Sequence, residues 1–268
     1  MARSPAELLA NVPGWDGASF EHLTGGLTND VYHVSVGGKS AVLKVDQSPR
    51  QVPFNTRLAE AQIQARAAEV SLAASVIAAD EQMYLTEYLE GDVWTPTTLQ
   101  DEDSLSLLGS SLRKLHSLPL TGRCFDAAAA ASQYAQGIEV LDNSVVALCL
   151  QQFVGIRMPR NLRCCHNDLV AENIIATPEL MFLDWEYACD NDPFFDLATV
   201  VEHHNLSDTQ SKQLLDAYFD SDGSRWLENL ETYRRVYLAL LCLWMASQPG
   251  CDSDELDRVV TRITTNYS

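Results

Sequence analysis

The sequence predicts an α+β chain, with an N-terminal antiparallel sheet carrying one helix over 1–89 and a larger, mainly helical part over 90–268. Three observations predict it. Residues 18–23, 30–36 and 40–46 are strand-like runs, and Gly25-Gly26 and Gly37-Gly38 separate them as hairpin turns do. After Gly91 the texture becomes helical, with Leu105, Leu108, Leu112 and Leu115 forming a stripe at helical spacing. A length of 268 residues, 46% hydrophobic and 21% charged, suffices for two lobes sharing a cleft or for one large unit.

In chain order, residues 5–11 read as a short helix ahead of the sheet. Residues 57–70 are poor in β-branched side chains and rich in Ala, Glu, Gln and Arg, which favours a helix. Short strands near 74–78 and 83–88 complete the sheet, and the break near 88–92 marks the boundary between lobes. Helices are expected over 102–118 and about 127–153, then near 208–219, 225–247 and 253–265.

One segment of the second part has a different pattern. Ile174-Ile175-Ala176 and Met181-Phe182-Leu183 flank Thr177-Pro178-Glu179-Leu180, which reads as a hairpin with a four-residue turn. Counting outward pairs Ala176 with Met181, Ile175 with Phe182, Ile174 with Leu183, and Asn173 with Asp184. Opposed residues lie roughly 4.5–5.5 Å apart at Cα. The amide and the carboxylate would then converge where Asp168 arrives from the preceding loop. An amide oxygen beside a carboxylate suits Mg²⁺, a hard cation that takes oxygen donors and phosphate oxygens.

Charge limits the partners. Thirty-seven acids face 18 Lys and Arg, giving a net charge of −19 and a pI near 4.5. That field repels phosphate backbones and anionic lipid, so neither nucleic acid nor a membrane is expected as a partner. The longest apolar run, 236–246, is too short to span a bilayer, and the first residues contain no apolar signal segment. Seven cysteines, an odd number without a C-x-x-C pair, fit a reducing, cytoplasmic setting. Oligomeric state is left open.

His166-Asn167-Asp168-Leu169-Val170-Ala171-Glu172-Asn173 is an H-x-D-x-x-x-x-N run, followed by Asp184-Trp185-Glu186. This pair of motifs resembles the aminoglycoside phosphotransferase and choline kinase family. DWEYA followed by DPFFDLA is most similar to its bacterial choline-kinase-like and thiamine-kinase-like members. The resemblance runs from about residue 20 to about 205. It implies a bilobal protein-kinase-like fold and an ATP- and Mg²⁺-dependent kinase acting on a small alcohol.

The resemblance also assigns roles. Asp168 would orient the acceptor hydroxyl and take its proton, while Asn173 and Asp184 would hold Mg²⁺ on the ATP phosphates. Glu186 could serve a second metal or face the acceptor. His166 and Asp196 read as structural supports of the loop, and Glu172 as solvated. Lys44 falls where the family's strand lysine meets the α/β-phosphates. Its helix partner is Glu60 or Glu69, and the R-x-x-E spacing of Arg57 and Glu60 favours Glu60. Gly25, Gly26, Thr28 and Asn29 stand where the phosphate-covering loop lies, although a Gly-Gly hairpin turn would explain the glycines equally well. The stretch from Glu87 to Leu89 resembles the hinge that meets adenine through its main chain.

Tyr233, Tyr237, Leu240, Leu241 and Trp244 follow helical spacing, either as core or as an aromatic wall for a cation. Tyr237 and Trp244 are the acceptor-side candidates. Choline kinases carry two tryptophans three apart here, and this chain has Leu241 at the first. Cys189 stands where Gly is common. Choline or ethanolamine is the preferred acceptor, with thiamine next and an aminoglycoside or sugar-like alcohol third. A non-catalytic nucleotide-binding protein is disfavoured because Lys44, Asp168, Asn173 and Asp184 are all present. A protein kinase is disfavoured because no D-F-G and A-P-E pair brackets an activation segment.

Overall fold

Ser4 opens the first helix of the computed structural model, which describes residues 4–23, 30–46, 56–156 and 161–267. That helix, α1 (Pro5–Leu9), begins with a capping box between Ser4 and Glu7. Strands β1 (Ser19–Leu23), β2 (Asp30–Val36) and β3 (Lys39–Val45) follow, then α2 (Arg57–Ala68), β4 (Val76–Ala79) and β5 (Met83–Glu87). The sheet order is β1-β2-β3-β5-β4, antiparallel throughout. Alternation along β3 buries Ala41, Leu43 and Val45 on one face, where they join Leu8, Leu9, Trp15, Val34 and Leu85. Lys44 therefore projects from the other face, beside its cross-strand neighbour Tyr84. Glu60 and Gln64, one turn apart on α2, meet these two: Gln64 accepts from the Tyr84 hydroxyl, and Glu60 pairs with Lys44.

The chain then forms β6 (Asp92–Val93), α3 (Glu102–Leu115), α4 (Ala127–Tyr134), α5 (Asn143–Gln151), β7 (Arg163–Cys165), β8 (Ile174–Ala176), β9 (Leu180–Phe182) and β10 (Cys189–Asn191). Helices α6 (Pro193–His203), α7 (Asp208–Phe219), α8 (Leu227–Ser247) and α9 (Ser253–Tyr267) complete it. The expected helix over 127–153 is two helices, because Gly137 turns with a φ of +81° and Asp142 starts a second one. All seven cysteines are free thiols. No helix among the described residues is long and apolar enough to cross a membrane.

Two compact units result: 1–94 together with 172–188, and 95–171 together with 189–268. The hairpin was expected in the C-terminal part; it belongs to the first unit instead. The reason is backbone pairing, since β8 pairs β6 and the Phe182 N–H donates to Leu72 O at 2.8 Å.

The hairpin register also corrects the expectation. Ala176 pairs with Leu180, Ile175 with Met181 and Ile174 with Phe182, so the turn has three residues, 177–179. Leu183 N–H donates to Asn173 O at 2.8 Å, which puts Leu183, not Asp184, opposite Asn173. Backbone pairing fixes this register, from Ile174–Phe182 to the Leu183 N–H donated to Asn173 O. It sets Ile174, Leu180 and Phe182, all nearly inaccessible, on one face.

In the second unit, α8 packs against α4, α5, α6 and α9, while α3 lies against α7. The latter approach is close. A Cβ on Gly109 would stand 2.6 Å from Ala217 Cβ and 2.9 Å from Tyr218 N. Glu202, buried on α6, pairs with Arg234 of α8 and Arg262 of α9, tying the three helices together.

Candidate active site

The first unit carries a charged cluster at Lys44. Its Nζ lies 3.3 Å from Glu60 Oε1 and 2.7 Å from Asp184 Oδ1. Burial alone would lower the Lys44 pKa, but Asp184 and Glu60 outweigh it and hold the ammonium above its ordinary range. Arg57, fully buried, closes the cluster with Nη1 at 2.7 Å from Glu60 Oε2 and Nη2 at 2.8 Å from Asp46 Oδ1. Glu60 is thus fixed from both sides. Glu69, the other candidate partner, is exposed at the C-terminal cap of α2.

Asp184 follows β9 in the left-handed region, with φ +58° and ψ +69°, a conformation Asp tolerates better than most residues. Trp185 anchors the turn that follows. It is fully buried, donates from Nε1 to Phe182 O at 3.0 Å, and sits in a turn packed on α2. Among the described residues this cluster sets two cations, Lys44 and Arg57, against three carboxylates, Asp46, Glu60 and Asp184. Asp184 puts a carboxylate, a hard oxygen donor, at the end of the hairpin, and that donor chemistry fits a divalent metal such as Mg²⁺. Asn173 belongs to the same hairpin, half-buried at its open end. Glu186 is half-buried in the turn after Asp184.

At the hinge-like stretch, Glu87 N–H already donates to Ser75 O at 3.0 Å. A ligand contact at Glu87 would therefore use its carbonyl. Leu89 is half-buried just beyond it. Gly25, Gly26, Thr28 and Asn29 lie outside the described residues.

The second unit holds the H-x-D loop. Asp196, fully buried on the first turns of α6, accepts from His166 N at 2.8 Å and Asn167 N at 2.7 Å. His116 Nε2 lies 3.0 Å from the same carboxylate, and its Nδ1 is 2.8 Å from the Tyr218 hydroxyl. The residue before Asp168 is therefore pinned by a carboxylate whose oxygens are both engaged. His116, Cys165 and Asp196 offer ligand atoms within 4.8 Å of one another, but these hydrogen bonds make the group a brace. His166 is buried and Glu172 exposed.

Tyr237 belongs to the same neighbourhood. Burial first, then the charge of Asp168, pushes its phenol well above the ordinary range, so it stays neutral. It packs edge-on to Phe195, with centroids 5.9 Å apart, while Tyr233 stacks on Phe194 at 6.3 Å. Trp244 lies two turns beyond Tyr237 on the same side of α8 and is half-buried. The aromatic stripe is thus partly core. Asp192 caps α6 by accepting from Phe194 N at 3.0 Å; burial raises its carboxyl against that bond and one from Tyr233.

Sequence reasoning assigned no role to Arg57 or His116. The i,i+3 spacing of Arg57 and Glu60 was the available signal for the first. His116 ends the leucine stripe of α3 and differs from an ordinary core histidine only through its long-range partners.

The model of one protein family, described as the phosphotransferase enzyme family, matches residues 19–237. Protein LicA of Haemophilus influenzae is 29% identical over 208 residues, covering 72% of this chain and 61% of the relative. The chain thus spans less than two thirds of that relative's length. A LicA homolog of Metamycoplasma hominis is 32% identical over 186 residues, 65% of this chain and 72% of the relative. Among solved structures, choline kinase LicA from Streptococcus pneumoniae has the same fold, with a TM-score of 0.79 at 22% identity over 97% of this chain and 95% of that one.

Proposed function

Because the chain belongs to the phosphotransferase enzyme family, we propose that it transfers the γ-phosphate of ATP to the hydroxyl of a small cationic alcohol, choline or ethanolamine by preference. The observation that carries this reading is the Lys44 ammonium held between Glu60 and Asp184. A buried lysine kept charged by two carboxylates is prepared to exchange one of them for phosphate oxygens. The likeness to LicA proteins supports the choice of acceptor.

In this reading the first unit takes the nucleotide. Lys44 pairs with the α/β-phosphates, Glu60 and Arg57 keep it extended, and Glu87 and Leu89 offer main-chain groups to adenine. Gly25, Gly26, Thr28 and Asn29 cover the phosphates. Asn173 and Asp184 would hold Mg²⁺, which when bound neutralises charge on the transferring phosphoryl group. Asp168 accepts the acceptor's hydroxyl proton as that oxygen bonds to phosphorus and the bond to the ADP oxygen breaks. Tyr237 and Trp244 give the acceptor an aromatic surface, suited to an ammonium group. Glu186 faces either the metal or the acceptor.

Purified protein with ATP and Mg²⁺ should phosphorylate at least one of choline, ethanolamine and thiamine, measured by ADP release and product mass. No turnover on any of the three would reject the cationic-alcohol reading. Turnover on thiamine alone would move the assignment to that alcohol.

A further inference from the structure

The middle residue of the H-x-D run is the one that sequence motifs leave variable, yet here both its backbone and its side chain are held. Asn167 has a φ of +65°. The left-handed region is disfavoured for residues with a Cβ, and Asn is among the few that enter it readily. Its backbone N–H is held by Asp196. Its side chain is held separately: Oδ1 accepts from Asn191 Nδ2 at 2.7 Å, and Nδ2 lies 3.4 Å from Cys189 O and 3.3 Å from Cys189 Sγ.

Asn191 is buried at the end of β10, and its other amide atom is engaged as well. Its Oδ1 accepts from Asp192 N at 2.8 Å. Asp192 caps α6, and α6 carries Asp196. The hydrogen bonds form a ring. From the loop, one arm runs through the Asn167 backbone to Asp196; the other runs through the Asn167 carboxamide to Asn191 and on to the start of α6. Asp168 is the next residue along the chain. With both arms in place, φ and ψ at 167 are fixed, and so is the direction in which Asp168 leaves the turn. With the Asn191 arm removed, the Asn167 carboxamide loses its 2.7 Å bond and keeps only longer contacts to Cys189 among those described, so the left-handed turn can relax toward more populated backbone states.

We propose that Asn191, acting through the carboxamide of Asn167, is a positioning residue for Asp168. It takes no part in the chemistry; it sets the aim of the group that does. The inference rests on the reading of Asp168 as the base for phosphoryl transfer.

The test is a double-mutant cycle on the full chain. Turnover is read with ATP, Mg²⁺ and choline, and without choline as ATP hydrolysis, so that a wrong acceptor does not hide the result. Asn191→Ala should lower kcat by roughly tenfold or more, the scale of an ångström-sized misplacement, and leave the KM for ATP unchanged. Asn191→Asp keeps the shape and the acceptor for Asp192 N but loses the donor to Asn167, so it should fall similarly should the alanine variant fold poorly. Asn167→Gly permits the turn but removes the carboxamide, and should also lose turnover. In an Asp168→Asn background, Asn191→Ala should cost almost nothing further. The inference is overturned if Asn191→Ala and Asn191→Asp keep kcat within twofold, or if their losses persist undiminished in the Asp168→Asn background. Wild-type turnover in Asp168→Asn alone would instead overturn the base assignment and this inference with it.

Discussion

Asp196→Asn is an isosteric change whose effect can be worked from the geometry. Both carboxylate oxygens face N–H donors: Oδ1 faces Asn167 N at 2.7 Å, and Oδ2 faces His166 N at 2.8 Å with His116 Nε2 at 3.0 Å. An amide must point its NH₂ at one of these sets. The less costly orientation turns it toward Asn167, losing one bond and leaving one buried N–H against another N–H. A hydrogen bond to a charged group contributes about 1.5–3 kcal/mol, and an unsatisfied buried donor costs about 1–3 kcal/mol. The remaining bonds weaken as the acceptor loses its charge. A net loss of about 3 kcal/mol follows, with no cavity created. For a chain of this size that corresponds to a Tm drop of roughly 6–12 °C by differential scanning fluorimetry. Turnover well below the new Tm should fall too, because the loop before Asp168 is released. A Tm within about 2 °C of wild type, with turnover within twofold, would refute the account of Asp196 as the acceptor that holds this loop.

Other outcomes follow from the same structure. Lys44→Met removes the cation facing Glu60 and Asp184 and should lower kinase turnover by roughly 100-fold or more while the protein still folds; activity within fivefold would remove Lys44 from the site. Burial, then the neighbouring His203, lowers the His204 pKa from 6.5 to about 4, with the Pro96 backbone pulling the other way. The unfolded chain takes that proton first, so the contribution is complete above about pH 6.5 and is lost as pH falls toward 4. Urea titrations should show roughly 2 kcal/mol lost by about pH 5, and less in His204→Gln; parallel pH curves for the two proteins would contradict this. Gly109→Ala drives a methyl group into α7 and should destabilise by about 1–3 kcal/mol, with part recovered by Ala217→Gly in thermal melts.

How much of this was legible in the sequence depended on how local the determinants are. Helix α7 spans the expected 208–219, and α9 differs only at its end, because caps and apolar stripes act within a few residues. Lys44 and Glu60 were identifiable through the family resemblance, Lys44 by its place in a strand and Glu60 by the R-x-x-E stretch, both carried by short local runs. The hairpin register was not, since a three-residue and a four-residue turn suit Thr177-Pro178-Glu179-Leu180 equally well. The backbone pairing of the folded hairpin shows it, with Ile174 opposite Phe182 and Leu183 N–H donating to Asn173 O. The membership of 172–188 in the first unit rests on pairing with β6 and Leu72, partners far away in sequence. The Asp196 brace was expected as a support, but its link to His116, 80 positions away, has no local pattern.

The hairpin separates tolerance from accuracy. Its tip at Pro178 and Glu179 is exposed, and Thr177 closes it with hydroxyl contacts to Glu179. A foreign peptide grafted there would lengthen the loop while the pairs from Ala176–Leu180 inward keep their register. From Leu180 onward there is no such freedom. Removing one residue between Leu180 and Leu183 would carry Trp185 to the position that faces Lys44 and draw Asp184 back into the strand. The same short element is therefore a permissive graft site at one end and a fixed ruler at the other.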